Sequence, residues 1–246
     1  CENNYLDFLN AGGLEGKRLG VFRSLVDHED ADPEIKEIFL QAIADLTAAG
    51  AIIVDPLEIR DFQVLSDQIP FCGRFRYDVG QYFKSLENPA LLDVNQVLET
   101  GEIAPETRGS FGFYAQNPLD VVPDEWEVPC PTWPNHPERN QLLANAIEAM
   151  DAAQVDALIF PTWSNPPAHI DRAEEEYRGD NNQHLAPDAG LPAVTIPMGF
   201  WQNKRPAGLQ FVGRPYAEGV LIELAYAYEQ KTKHRRPPEG FGEIND

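Results

Sequence analysis

The chain is short of the patterns on which most recognisable chemistry rests. Its three cysteines, at positions 1, 72 and 130, form no C-x-x-C pair and have no zinc-ligand spacing. That excludes a disulfide-stapled scaffold and a structural zinc module, and the cysteines are expected as free thiols in a reducing compartment, hence a cytoplasmic protein. No apolar run approaches the roughly 18 residues that span a bilayer, and the first residues show no signal-peptide pattern, so no membrane partner is expected. Basic residues are few, 19 against 40 acidic, for a net charge of −21. Nucleic acid is excluded as a partner on that count, because phosphate backbones are bound by Lys and Arg. The acidity itself is read as solubility or adaptation to a salty medium.

Nucleotide and metal signatures are missing as well. There is no G-x-G-x-x-G, no Walker A sequence and no H-E-x-x-H, and the histidines at 28, 136, 169, 184 and 234 have no i, i+4 pairing. No metal or organic cofactor is expected. Serine is scarce: Ser24, Ser66, Ser85, Ser110 and Ser164 are all isolated, and none sits in a G-x-S-x-G elbow. Ser110 has glycines nearby but no strand-to-helix context, so it reads as loop. The run Glu174-Glu175-Glu176 reads as solvated surface.

What is present is an alternation of strands and helices. Lys17 to Arg23 reads as a short buried strand. Asp32 then caps a helix with Pro33 at its first position, and Ile35, Ile38, Phe39, Ala42, Ile43, Leu46 and Ala49 recur at helical spacing until Gly50. Ala51 to Val54 is a second strand, and the unit predicts a parallel strand pair. Phe71 to Leu86 predicts a helix with an aromatic stripe of Phe71, Phe75, Tyr82 and Phe83, weakened by Gly73 and Gly80, with Arg74 and Tyr77 on its other face. Residues 101–137 are rich in Pro, Gly and Trp and read as an irregular insertion or cover. A helix carrying Leu142, Leu143, Ala146, Ile147 and Met150 follows, then strands over Ala157–Phe160, Ala193–Ile196 and Gly208–Val212, and a helix with Val220, Leu221, Leu224, Ala225 and Tyr228.

Three segments, in order, carry a resemblance. They are Val155-Asp156-Ala157-Leu158-Ile159-Phe160-Pro161-Thr162, then Leu185 to Phe200 containing Gly190-Leu191-Pro192-Ala193-Val194-Thr195-Ile196-Pro197, then Pro206-Ala207-Gly208-Leu209-Gln210-Phe211-Val212-Gly213-Arg214-Pro215. Together they resemble the carboxy-terminal half of amidase-signature enzymes. The opening Leu14 to Arg23 is similar to the strand that follows that family's catalytic segment. Arg74 to Tyr82, with Asp180-Asn181-Asn182, looks most like the branch containing peptide amidases.

The resemblance implies an α/β fold with a mixed, largely parallel sheet flanked by helices, part of the family's three-layer architecture. Residues 1–246 would be the carboxy-terminal half of a single domain. It implies a serine-dependent amidohydrolase acting on a small amide or peptide amide, whose Ser-Ser-Lys residues precede Leu14. The amino-terminal half of the same enzyme is then the chief partner, and no catalytic residue is carried over onto this chain. Ligands of α/β sheets collect beyond strand carboxyl ends. That points to Pro161 to Pro167 and, less directly, Pro197 to Gly199. Trp163, Ser164 and Asn165, with Arg74 and Tyr77, are the expected substrate-binding residues, while Asn181, Asn182 and Asp188 are expected to bond loop backbone. Two other readings stand beside this one: a catalytically inactive amidase-derived binding module, and an independent hydrolase using Ser110 or Ser164.

Overall fold

A computed structural model describes residues 4–27, 29–69, 72–238 and 240; Cys1, His28 and Phe71, singled out above, lie outside them. In chain order the principal elements are β1 (Arg18–Phe22), α1 (Pro33–Ala48), β2 (Ile52–Leu57), α2 (Phe62–Gln68), α3 (Phe75–Ser85), α4 (Val94–Thr100), α5 (Arg108–Ala115), α6 (Pro137–Ala153), β3 (Ala157–Pro161), α7 (Ala173–Glu176), α8 (Leu185–Ala189), β4 (Ala193–Trp201), β5 (Arg205–Val212) and α9 (Glu218–Thr232). They fall into two compact units, Cys1–Gln68 with Glu138–Asp246, and Ile69–Pro137.

The first unit is built on a five-stranded mixed sheet in the order β2-β1-β3-β5-β4. β1 pairs parallel to β2 and β3, while β5 runs antiparallel to β3 and β4. The parallel pair expected of the first strand–helix–strand unit is thus present. β3 lies at the centre and every one of its residues is buried, as the continuous apolar run Ala157-Leu158-Ile159-Phe160 requires.

Helix α1 starts where the sequence says it should. Asp32 Oδ1 accepts from the backbone N–H groups of Glu34 at 2.9 Å and Ile35 at 3.1 Å, and Pro33 occupies a position whose N–H would have no helical partner. Ile35, Phe39, Ala42 and Leu46 are its buried face. At the other end, α9 buries Leu221, Leu224, Ala225, Ala227 and Tyr228, and the Tyr228 ring meets Phe211 of β5 edge to face at 6.5 Å.

Strands β4 and β5 are longer than the sequence patterns indicate. They pair from Ala193↔Val212 to Trp201↔Arg205, closing in a tight turn where Gln202 and Asn203 hold φ values of 47° and 56°. Pro197 is tolerated because β4 is an edge strand, where a missing N–H breaks no ladder.

In the second unit, Arg76 of α3 grips Asp93, the residue before α4, through two bonds of 2.8 and 2.6 Å, and donates to the carbonyls of Ala115 and Asn117 at 2.8 and 2.7 Å. Along the aromatic stripe, Tyr82 is 61% exposed, and Phe75 packs on Phe111 and Tyr114 of α5. Within 101–137 lie α5 and 3-10 turns at Pro105–Thr107, Pro123–Glu125 and Trp133–Asn135. Cys72 and Cys130, expected as free thiols, are joined in a disulfide with Cα atoms 5.9 Å apart. At 58 positions apart they carry no spacing that announces the pairing.

Candidate functional site

Because β3 and β4 both run antiparallel to β5, their carboxyl ends lie on the same side of the sheet. Beyond those ends opens a cleft of about 360 Å³. The loop after β3 supplies Thr162, Trp163, Asn165, Pro166 and Pro167, α1 supplies Ile35, β4 supplies Thr195, Pro197 and Trp201, and β5 supplies Arg205 to Gly208. A larger recess of about 460 Å³ on the same hairpin is lined by Phe200, Lys204, Arg235 and Arg236.

The loop is held rigidly. Thr162 continues the sheet by donating its N–H to Gly208 O at 2.8 Å, and Ser164 N–H donates to Gly179 O at 2.7 Å. Asn181, 2% exposed, donates from its side chain to the carbonyls of Leu25 at 2.7 Å and Pro161 at 2.8 Å, tying the end of β3 to the segment after β1. This is the backbone-bonding role expected of it. Asn182 contributes its backbone N–H, to Thr162 O, and Asp188 lies 3.9 Å from the Arg139 guanidinium. Trp163 stands edge-on to Tyr177 at 5.3 Å, and Tyr177 donates its hydroxyl to Asp180 at 2.7 Å. Bonding to that carboxylate, helped by burial, pushes the Tyr177 phenol above its ordinary range.

Of the expected substrate-binding residues, Trp163 and Asn165 line the cleft. Asn165 is already committed through its amide, donating to Asp30 O at 2.9 Å and receiving the Ser164 hydroxyl at 3.3 Å. Ser164 is 2% exposed and its hydroxyl also approaches Gly179 O, so it is an internal strut of the loop. Arg74 and Tyr77 belong to the Ile69–Pro137 unit. Arg74 bonds Asp78 at 2.8 and 3.0 Å, which raises its pKa, and reaches Cys130 O at 3.4 Å.

No serine among the described residues bonds a lysine or histidine. Ser110 sits exposed on α5, and Glu176 is occupied by His169, at 2.7 Å, and Arg172. His169, first through its backbone N–H and then through its ring, holds the Glu176 carboxyl below the usual range.

Thr162, Thr195, Trp201 and Arg205 were missed by the sequence reading. The Thr162 and Thr195 hydroxyls pair at 3.1 Å across β5, and the Arg205 guanidinium lies 5.2 Å from the centre of the Trp201 ring. Pro197, Gly199 and Pro206 disguised the extended hairpin, although the polar run Gln202-Asn203-Lys204 after Phe200-Trp201 is the signal that reveals its turn.

Comparison with known proteins agrees with this architecture. The chain is 28% identical to a glutamyl-tRNA(Gln) amidotransferase component from a Synechococcus strain, over 97% of this chain and 50% of that one. It is 24% identical to a probable amidase of Arabidopsis thaliana, over 97% and 42%. Among solved structures, the peptide amidase of Stenotrophomonas maltophilia superposes with a TM-score of 0.69 at 26% identity, covering 96% of this chain and 47% of that one. An amidase family protein of Bacillus anthracis shares the fold at 20% identity, with a TM-score of 0.70 over 97% and 43%. The chain therefore spans about half the length of the curated relatives it matches. A family model described as Amidase matches residues 1–222, and the chain belongs to the amidase family.

Proposed function

We propose that the whole protein hydrolyses a carboxylic amide, a small amide or peptide amide, by acyl transfer to a serine outside this chain. The serine oxygen bonds the carbonyl carbon, the C–N bond breaks, the amine leaves with a proton, and water then releases the acid. This chain does none of that chemistry. Its part is the wall of the pocket: Trp163, Pro166, Pro167 and Trp201 exclude water from the acyl or leaving group, and the paired threonines mark the polar floor.

The observation that carries the proposal is the position of the cleft. It opens beyond the carboxyl ends of two strands that lie within the residues matched by the amidase family model, where α/β folds bind ligands. A second feature supports an amino-terminal half as partner. Among the described residues β4 has a strand on one side alone, and such an edge is a template for further strands. The Cys72–Cys130 bridge removes the support that isolated thiols gave to a reducing compartment, so the cytoplasm forms no part of the proposal.

The test combines this chain with the preceding half and follows ammonia release from N-acyl amino acid amides. Hydrolysis by the assembled protein, with none by this chain alone, is expected. A folded, assembled protein that releases neither ammonia nor amine overturns the proposal. Fluorophosphonate labelling of this chain alone would point instead to Ser110 or Ser164.

A further inference from the structure

Arg205 stands out in the cleft by its charge. It is the one charged side chain among the residues lining it. In a chain with 40 acidic residues, the arginines of this unit are commonly neutralised: Arg23 by Asp55 and Arg214 by Asp151. Arg205 has no carboxylate within ion-pair distance among the described residues.

The two acids that share with Arg205 the lining of an adjoining recess of about 230 Å³, Asp32 and Glu176, hold other partners. Asp32 Oδ1 accepts from the first turn of α1 and from Trp201 Nε1 at 3.3 Å, and Glu176 accepts from His169. The same bond to Asp32 fixes the Trp201 indole on which the Arg205 guanidinium rests. Contact with an aromatic ring orients the guanidinium without neutralising it and leaves its N–H donors available. The other polar groups of the cleft are neutral: the Asn165 amide donates to Asp30 O and accepts from Ser164, and the two threonine hydroxyls share one bond, so Arg205 alone supplies positive charge. An apolar slot with one held, unneutralised guanidinium fits an apolar group bearing a carboxylate, to which guanidinium donates two parallel bonds.

We infer that Arg205 makes the cleft selective for amides whose bound acyl or leaving group carries a carboxylate. The substrate assignment rests on the amide hydrolysis proposed above; the binding preference does not. Arg205 acts here in specificity, outside the bond-breaking chemistry.

The experiment measures binding of 3-phenylpropionate and of 3-phenylpropionamide to the whole protein by calorimetry, with quenching of tryptophan fluorescence as a second readout. The expected result is about tenfold or more tighter binding of the carboxylate. Arg205→Met should erase the difference while the neutral amide binds as before, and Arg205→Lys should keep part of it. An unchanged thermal midpoint in each variant shows that the fold is intact. Equal dissociation constants in the unaltered protein, no measurable binding of 3-phenylpropionate, or a preference that survives Arg205→Met would overturn the inference. Failure to hydrolyse any amide sinks the proposed activity and leaves this binding comparison standing, so the two failures are told apart.

Discussion

The hydroxyl oxygens of Thr162 and Thr195 lie 3.1 Å apart, reaching across β5 from the end of β3 to the edge strand β4. What permits this is the residue between them. A Cβ at Gly208 would lie 2.7 Å from Thr195 Cγ2 and 2.8 Å from Thr162 Oγ1, closer than real contacts allow. Gly208→Ala should therefore drive the two threonines apart and cost about 1–3 kcal/mol, as overpacking usually does. Thr162→Val removes the bond without crowding and should cost about 0.5–1.5 kcal/mol, with Thr195 exposed and free to bond water. Urea unfolding of both variants checks the order. An alanine variant as stable as the unaltered chain would contradict the close approach.

That glycine also shows what was legible beforehand. Gly208 to Val212 was readable as a strand because Leu209, Phe211 and Val212 are apolar, and all three are buried. The threonine pair was not, because it joins residues 33 positions apart through a strand lying between them. The same holds for Trp163 and Trp201, which come together in the cleft from two different strands' ends. Periodicity reports which face of an element is buried, and it found α1 and α9 correctly. It says nothing about which loops share a strand end. Ser164 was grouped with Trp163 and Asn165 because all three follow the carboxyl end of a strand; that rule does not report which side chain of a loop is buried, and Ser164, whose N–H bonds Gly179, is 2% exposed.

Asp32 links helix to cleft. Its Oδ1 accepts from Glu34 N–H, Ile35 N–H and Trp201 Nε1. Asp32→Ala removes the cap and should destabilise the chain by about 0.5–2 kcal/mol. It also releases the indole under Arg205, so tryptophan fluorescence should shift. Asn caps as well as Asp, and Asp32→Asn should retain most of both properties. Equal losses in the two variants would mean that the charge matters more than the acceptor.

The second unit carries a pH-sensitive tie. The Arg76 guanidinium, foremost, and the backbone N–H groups of Asn95 and Val94 hold the Asp93 carboxyl below its usual range. A carboxyl with a depressed folded pKa contributes stability that is complete above the unfolded value, roughly 3.9, and disappears as pH falls through the folded value. Urea midpoints should be insensitive to this pair between pH 7 and pH 5, at roughly one or more units above that unfolded value. Below it they should fall. Asp93→Asn should flatten the acid limb of the curve while lowering stability at neutral pH. Arg76→Lys should also weaken the unit, because an ammonium cannot reproduce the two-bond grip or reach the Ala115 and Asn117 carbonyls together. An acid limb unchanged in Asp93→Asn would rule the pair out as its source.

Tyr228 gives the opposite case, a polar atom whose removal should help. Its side chain is fully buried on α9 against Phe211, yet its hydroxyl has no hydrogen-bond partner among the described residues. Burial, with a smaller contribution from the Asp45 carboxylate, pushes the phenol far above its ordinary pKa, so it is neutral at neutral pH. A buried hydroxyl without a partner loses its water and gains nothing in return. Tyr228→Phe keeps the ring, the edge-to-face contact and nearly all the volume. It should leave stability unchanged or raise it by up to about 1 kcal/mol, read from the midpoint of urea unfolding at neutral pH. A loss greater than about 1 kcal/mol, the usual net contribution of a hydrogen bond, would show instead that the hydroxyl is bonded in solution, with buried water as the natural partner.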